Sequence, residues 1–283
     1  MKAPPASAQR TTPRPQVSVV VPAHNEVMLI GTTLTNLVTG LEKRGRSFEV
    51  IVVENGSRDG TLRLSRLLAA QLPSIRVSSL PRADYGDALA HGLRLAAGEV
   101  VATFDADYYD FGFFDDAYEL IERDDADVVV ASKRARGASD RRSRFRRLLT
   151  AGFALTTRTL VGLELSDAHG MKLFRTAAIR PLVDQTVSRG SLFDVELATR
   201  ASRGGLRIRE LPAVVHELRP PRSSVLRRTF ESMAGLARLR VVLGSDNAIG
   251  SKPRRLASLR PPGDAGWTRR RERQLSRKAR NAR

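Results

Sequence analysis

The chain has no cysteine among its 283 residues. That excludes disulfides, thiolate metal sites and cysteine nucleophiles, and it suits a reducing compartment. Aromatic residues make up only 5%, with Trp267 the single tryptophan. An extended base-stacking surface for nucleic acid is therefore disfavoured. No run of about 18 apolar residues occurs, so no helix is expected to span a bilayer. The first sixteen residues lack the apolar stretch of a secretory leader. Together these absences point to the cytoplasm. Two glycine motifs are missing as well. No Gly-x-Gly-x-x-Gly follows the first strand-like run, and no Gly-rich loop ends in Gly-Lys-Ser/Thr. The dinucleotide fingerprint and the phosphate-cradling loop are thus absent.

Acidic residues are in deficit, 30 against 48 Lys and Arg, for a net charge of +18. Residues 251–283 hold twelve of the basic residues and two acids, a net +10, which leaves +8 for the rest. Such a tail is either simply solvated or drawn to a polyanion, an anionic membrane surface before nucleic acid. Four of the fourteen prolines fall in residues 1–16, which read as a disordered arm. The hydrophobic fraction of 41% allows a core for one α/β domain of ordinary size.

Within 17–220, β-branched runs alternate with amphipathic stretches of helical period. Strands are predicted at Val17–Val21, Phe48–Val53, Ile75–Leu80, Glu99–Phe104, Asp127–Ser132 and Ala168–Phe174. A further strand-like run spans Leu206–Leu218, broken at Pro212. Helices are predicted after Glu26, after Gly60, and over Ala83–Ala97, Phe113–Arg123, Leu148–Leu165 and Phe193–Arg203. A last amphipathic helix covers residues 221–244, and its arginines suit a membrane surface as well as a packed core. Residues 245–283 form the basic tail. The alternation predicts a single α/β domain, a mostly parallel sheet with helices on both faces.

Three strand ends carry polar clusters, after Val21, after Val53 and after Phe104, along the edge where open α/β sheets bind ligands. The third holds Asp105, Ala106 and Asp107. In a strand-like segment, residues two apart point the same way. Two carboxylates so placed repel unless a cation or protons lie between them. Mg²⁺ or Mn²⁺ suits such oxygen ligands, usually with substrate phosphates completing the shell. Eight Lys and Arg crowd Lys133–Arg147 against Asp140 alone, either a solvated loop or a phosphate seat.

Four blocks in this order, SVVVPAHNE, EVIVVENGSRDGT, ADYGDALAHGL and FDAD, resemble those of inverting family 2 glycosyltransferases with the GT-A (Rossmann-like) fold. The resemblance runs from Val17 to about Leu243. VVASKR, the Arg-rich segment after it, DAHGMKLFR and FDVEL are most similar to the polyprenol-phosphate transferases, the dolichol-phosphate mannose synthase group. The resemblance implies a nucleotide-sugar donor, GDP- or UDP-linked, whose nucleoside meets Pro22, Ala23, Asn25 and Glu26. Glu54 and Asn55 stand where the family usually has two aspartates, the first on the base. Asp84 and Gly86 match the loop beside base and ribose. Tyr85, or Asp87 in a neighbouring register, stands where the family often has lysine, and Tyr109 where close relatives carry a polar neighbour of the metal. Asp105 and Asp107 match the metal pair, with Ala106 between them. Lys133 and Arg146 (or Arg147) match an acceptor-phosphate site, and Lys172 and Arg175 could meet the diphosphate.

A metal at Asp105 and Asp107 would offset charge as the C1–O bond breaks. A polyprenyl phosphate acceptor is already ionised and needs cations rather than a base, for which Arg forks are suited. A hydroxyl acceptor needs a carboxylate base. Asp167, Asp194 and Glu196 are the candidates. The reading is therefore transfer of mannose or glucose to a polyprenyl phosphate, with peripheral contact on the cytoplasmic membrane face. The alternatives are a hydroxyl acceptor, saccharide or small alcohol, or a nucleotide-sugar-binding protein without catalysis.

Overall fold

The structure is a computed structural model that describes residues 14–132, 139–140, 144–212, 214–215 and 225–246. The chain opens with β1 (Val17–Ala23), α1 (Val27–Glu42), β2 (Phe48–Asn55), α2 (Thr61–Gln71), β3 (Ile75–Leu80) and α3 (Tyr85–Leu95). Next come β4 (Val100–Thr103), α4 (Phe111–Glu122), β5 (Val128–Ser132), β6 (Ser139–Asp140) and α5 (Arg144–Val161). The last third holds β7 (Lys172–Arg175), α6 (Thr176–Gln185), α7 (Leu192–Arg203), β8 (Ile208–Pro212), β9 (Val214–Val215) and α8 (Val225–Asp246).

Seven strands form one sheet in the order β3-β2-β1-β4-β7-β5-β8, and β6 pairs β9 separately. All neighbours in the large sheet are parallel except β7, which runs against both β4 and β5. Alternate residues of the central strands feed two cores, as the period of two requires. Val19, Val21, Val50, Val52 and Ala102 pack with Leu34, Leu37 and Leu41 of α1 and Phe113, Phe114 and Ile121 of α4. On the other face Val20, Ile51, Val53 and Val101 pack with Leu89 and Leu93 of α3, and with residues of α6, α7 and α8.

β1 runs past the proline that was expected to end it. Val20 pairs with Thr103 and accepts from Phe104 N at 3.0 Å, where the β4 ladder ends. Pro22 faces that same side one pleat later, so its missing N–H leaves no sheet bond unmade. Meanwhile Pro22 and Ala23 stay paired with Val53 and Glu54 of β2. One helix, α6, was not foreseen, because it contains Pro181, which reads as a breaker. Among the described residues no helix is long and apolar enough to cross a membrane.

Candidate active site at one rim of the sheet

The ends of β1, β2, β3, β4, β5 and β8, with the start of the reversed β7, make one rim. The loops after β1 and β2 are tied together first. His24 donates from Nδ1 to Asn55 O at 2.8 Å, since a carbonyl can only accept. Its Nε2 then accepts from Asn25 Nδ2 at 3.0 Å, while Asn25 Oδ1 accepts from Arg58 N at 2.8 Å. One histidine tautomer and one amide orientation satisfy the whole chain of bonds. Asn25 adopts φ 54° to reach this arrangement, a conformation Asn tolerates better than most residues. Asp59 accepts from Val27 N at 3.2 Å and Thr61 N at 2.9 Å, so one carboxylate holds the N-termini of both α1 and α2. Burial pushes that carboxyl up, but the bonds from Thr61 and Val27 outweigh it and hold its pKa below the ordinary value.

Glu54 is buried and accepts from Ser79 Oγ at 2.6 Å and from Ser57 N. Desolvation raises its pKa, yet these bonds win and the group stays below its usual range. Asn55 is also buried. Its Nδ2 donates to Asp84 O at 3.0 Å, and its Oδ1 has no hydrogen-bond partner. Asp84 caps α3 through Asp87 N and also accepts from Gly190 N, both at 2.9 Å. A Cβ at Gly86 would lie 2.8–2.9 Å from the backbone of Gly190 and from Phe193 Cβ. Asp84 and Gly86 thus dock α3 onto the segment before α7, a packing role distinct from the base-and-ribose contact expected of them.

β4 stops at Thr103, and Asp105 and Tyr108 exchange backbone bonds at 3.1 and 3.2 Å to close a tight turn. Asp105 and Asp107 therefore sit within a turn rather than along a strand, so strand alternation does not set their direction. Thr33 of α1 donates to Ala106 O at 2.5 Å and pins the turn to that helix. Asp107 is exposed and Asp105 half-buried. Tyr109 turns back to α1, where its hydroxyl accepts from Asn36 Nδ2 at 2.9 Å. Tyr85 is half-buried, and its hydroxyl lies 3.5 Å from Asp105 Oδ1. Burial raises its pKa well above 10, and the charges of Asp105, Asp194 and Asp107 add to the effect. Three carboxylates from two separate elements thus bear on one phenol.

Lys172 and Asp194 form a buried ion pair at 2.9 Å, each side chain 3% exposed. Lys172 also donates to Gly170 O at 2.8 Å, while Asp194 Oδ2 has no hydrogen-bond partner. Arg175 lies at the other end of β7, opposite Val100, and four strand residues put about 10 Å between those ends. There it binds Asp124 at 2.8 Å and Ile121 O at 2.7 Å. Arg175 accordingly does not share the rim with Asp105, because the strand that carries it runs backwards. Glu196 is fully buried; it accepts from Ser188 N at 2.7 Å and pairs with Arg200 at 2.8 Å. Asp167 accepts from His169 N at 3.0 Å and shapes its own loop.

Glu210 carries no signal for function in the sequence beyond an acid inside an apolar run. It accepts from Ser166 N at 2.9 Å and Ser166 Oγ at 2.7 Å, fixing the loop before β7. Burial raises its pKa despite those bonds. Lys133 lies outside the described residues, and so does the side chain of Arg146, whose backbone belongs to α5. Among the described residues no group of three or more His, Asp or Glu could hold a metal by itself.

The family model described as glycosyl transferase family 2 matches residues 18–182. Among curated relatives, glycosyltransferase AglD of Haloferax volcanii is 31% identical over 202 residues, covering 70% of this chain and 32% of its own length. A dolichyl-phosphate beta-glucosyltransferase of Dictyostelium discoideum is 28% identical over 211 residues, covering 69% of this chain and 64% of its own. The chain therefore spans about a third of the first relative and just under two thirds of the second. Among solved structures, glucosyl-3-phosphoglycerate synthase from Mycobacterium tuberculosis in complex with UDP superposes with a TM-score of 0.59 at 21% identity, covering 80% of each chain. The mannosyltransferase PcManGT from Pyrobaculum calidifontis, in complex with GDP-Man and Mn2+, gives 0.52 at 21% identity and covers 95% of this chain and 81% of its own. These structural likenesses establish the GT-A fold.

Proposed function

The chain belongs to glycosyl transferase family 2, and from that premise we propose that it transfers a hexosyl group from a nucleotide sugar to a polyprenyl phosphate, with inversion. The relative named as a dolichyl-phosphate beta-glucosyltransferase favours glucose over mannose as the sugar.

The observation that carries this reading is the state of the three candidate carboxylates, all of them buried. A hydroxyl acceptor would require one of them as a base within reach of its proton. Glu196 is spent on Ser188 N and Arg200, Asp194 is held by Lys172, and Asp167 accepts from His169 N within its own loop. A phosphate acceptor needs neither, since its oxygen is already ionised. It needs cations, and the Arg-rich segment 133–147 begins where β5 ends, on this rim.

The donor set at the turn fits a divalent ion. Asp105 and Asp107 offer hard oxygen ligands, and Mg²⁺ or Mn²⁺ is commonly held by one or two carboxylates with substrate phosphates filling the rest. Such an ion would act as Lewis acid toward the departing diphosphate. The chain's own work is positioning. The His24–Asn25–Asn55 bonds and the Asp59 clamp fix the loops that would receive the nucleoside. Thr33 fixes the turn that would receive the phosphates. The lipid chain of the acceptor implies peripheral contact with a membrane on this same side.

Incubating the purified chain with UDP-glucose or GDP-mannose, Mn²⁺, and either polyprenyl phosphate or free saccharides tests the proposal. Transfer to the lipid phosphate is expected, with a loss of roughly 100-fold or more for Asp107→Ala, the scale of removing one preorganised charge-stabilising group. Transfer to saccharides alone, or full activity of Asp107→Ala, would overturn it.

A further inference from the structure

The residue that meets the Asp105 carboxylate is Tyr85. It opens α3, and its backbone has little freedom to shift. Asp84 on one side accepts from Gly190 N, and Gly86 on the other has no room for even a methyl group against Gly190 and Phe193. Asp194, whose charge also reaches the phenol, is locked by Lys172. The neighbour the Tyr85 hydroxyl meets is Asp105, half-buried in its turn, at 3.5 Å. That is the long limit of a hydrogen bond, so the contact guides the carboxylate without seizing it. Asp105 and Asp107, two apart in one tight turn, repel each other. A neutral donor on one oxygen of Asp105 offsets part of that repulsion. It also favours one rotamer of that carboxylate.

We propose that Tyr85 is a positioning residue: its hydroxyl holds Asp105 in place for a divalent cation and thereby sets the affinity of the Asp105–Asp107 turn for that ion. The inference rests on the reading that these two aspartates bind metal. Hydrogen-bond partners of metal ligands typically change metal affinity by about 10–100-fold when removed. The lower figure suits a contact this long.

The test is direct titration of the full chain with Mn²⁺ and UDP or GDP, reading free Mn²⁺ by electron paramagnetic resonance, for wild type, Tyr85→Phe and Asp107→Ala. Tyr85→Phe keeps the ring and should keep the melting temperature, while Mn²⁺ affinity falls about tenfold. In turnover, the Mn²⁺ concentration for half-maximal rate should rise, with kcat recovered at saturating Mn²⁺. A merely structural loss would lower kcat at every concentration. Wild-type affinity in Tyr85→Phe would overturn the role of Tyr85 while leaving the metal turn intact. Absence of Mn²⁺ binding by wild type, or unchanged binding by Asp107→Ala, would instead overturn the metal reading itself.

Discussion

The two rims of the sheet treat charge differently. At the rim where the parallel strands begin, charges are matched. Glu49 accepts from Ser18 Oγ, Ala97 N and Arg76, each at 2.7 Å. Asp124 and Asp127 are bound by Arg207 at 2.6 and 2.8 Å, with Arg175 joining from β7. At the rim where those strands end, the Asp105 carboxylate lies 3.5 Å from the Tyr85 hydroxyl, and Asp194 Oδ2 and Asn55 Oδ1 are buried without a hydrogen-bond partner. Unpartnered atoms also occur toward the first rim, at Thr176 Oγ1 and Arg180 Nε, so what separates the rims is the pairing of acids with arginines at the first. The second is the rim at which the donor is proposed to bind.

Lys172 offers the severest way to break this contrast, because it is the cation by which the second rim does neutralise a buried acid. Lys172→Met strands the Asp194 charge, and urea unfolding should show a loss of about 3–5 kcal/mol. If stability were unchanged, Asp194 would carry no burden and the contrast would fail. Gly86→Ala probes the second rim without touching charge. Its new methyl group collides with the Gly190 backbone, and a loss of about 1–3 kcal/mol is expected for such overpacking. Thermal melts with and without nucleotide would show whether the displaced segment also weakens binding. Asp127→Asn sharpens the comparison from the other side, with the smallest effect. Hydrogen bonds from Arg207 overcome the cost of burial and hold the Asp127 pKa at about 2, against an ordinary value of about 3.9. Its contribution is complete above about pH 4 and is lost as pH falls through about 2. The variant should melt lower at neutral pH, and the gap to wild type should close toward pH 2. A constant gap across that window would remove the carboxylate from the account.

Strand positions were legible because runs such as Val17–Val21 are β-branched at all but Ser18, and Ile75–Leu80 appears as read. Helix α6 was hidden by Pro181. Strand direction was not legible at all, since a pattern of period two reads the same both ways. That is why Arg175, expected beside the diphosphate, is found at the far rim while Lys172 sits at the end nearer Asp105. The Asp105–Asp107 pair was visible as chemistry, but its turn was not, because the closing bonds are backbone to backbone. The constraint on Asp84 and Gly86 comes from Gly190, about a hundred residues away, and no local pattern announces it. Tyr85 showed only as a departure from a familiar motif; its surroundings come from the turn after β4 and the start of α7.

The reversal of β7 has one more consequence. Since β5 finishes and β7 starts on the same side, with Val130 beside Lys172, the excursion from 133 to 171 leaves and re-enters the sheet at neighbouring points. Lengthening such a loop costs little, about 0.6 kcal/mol per doubling. The sheet can therefore take changes of length at the exposed points of this stretch while its seven strands keep their register, provided Val161, Leu163 and Leu165 stay in the core.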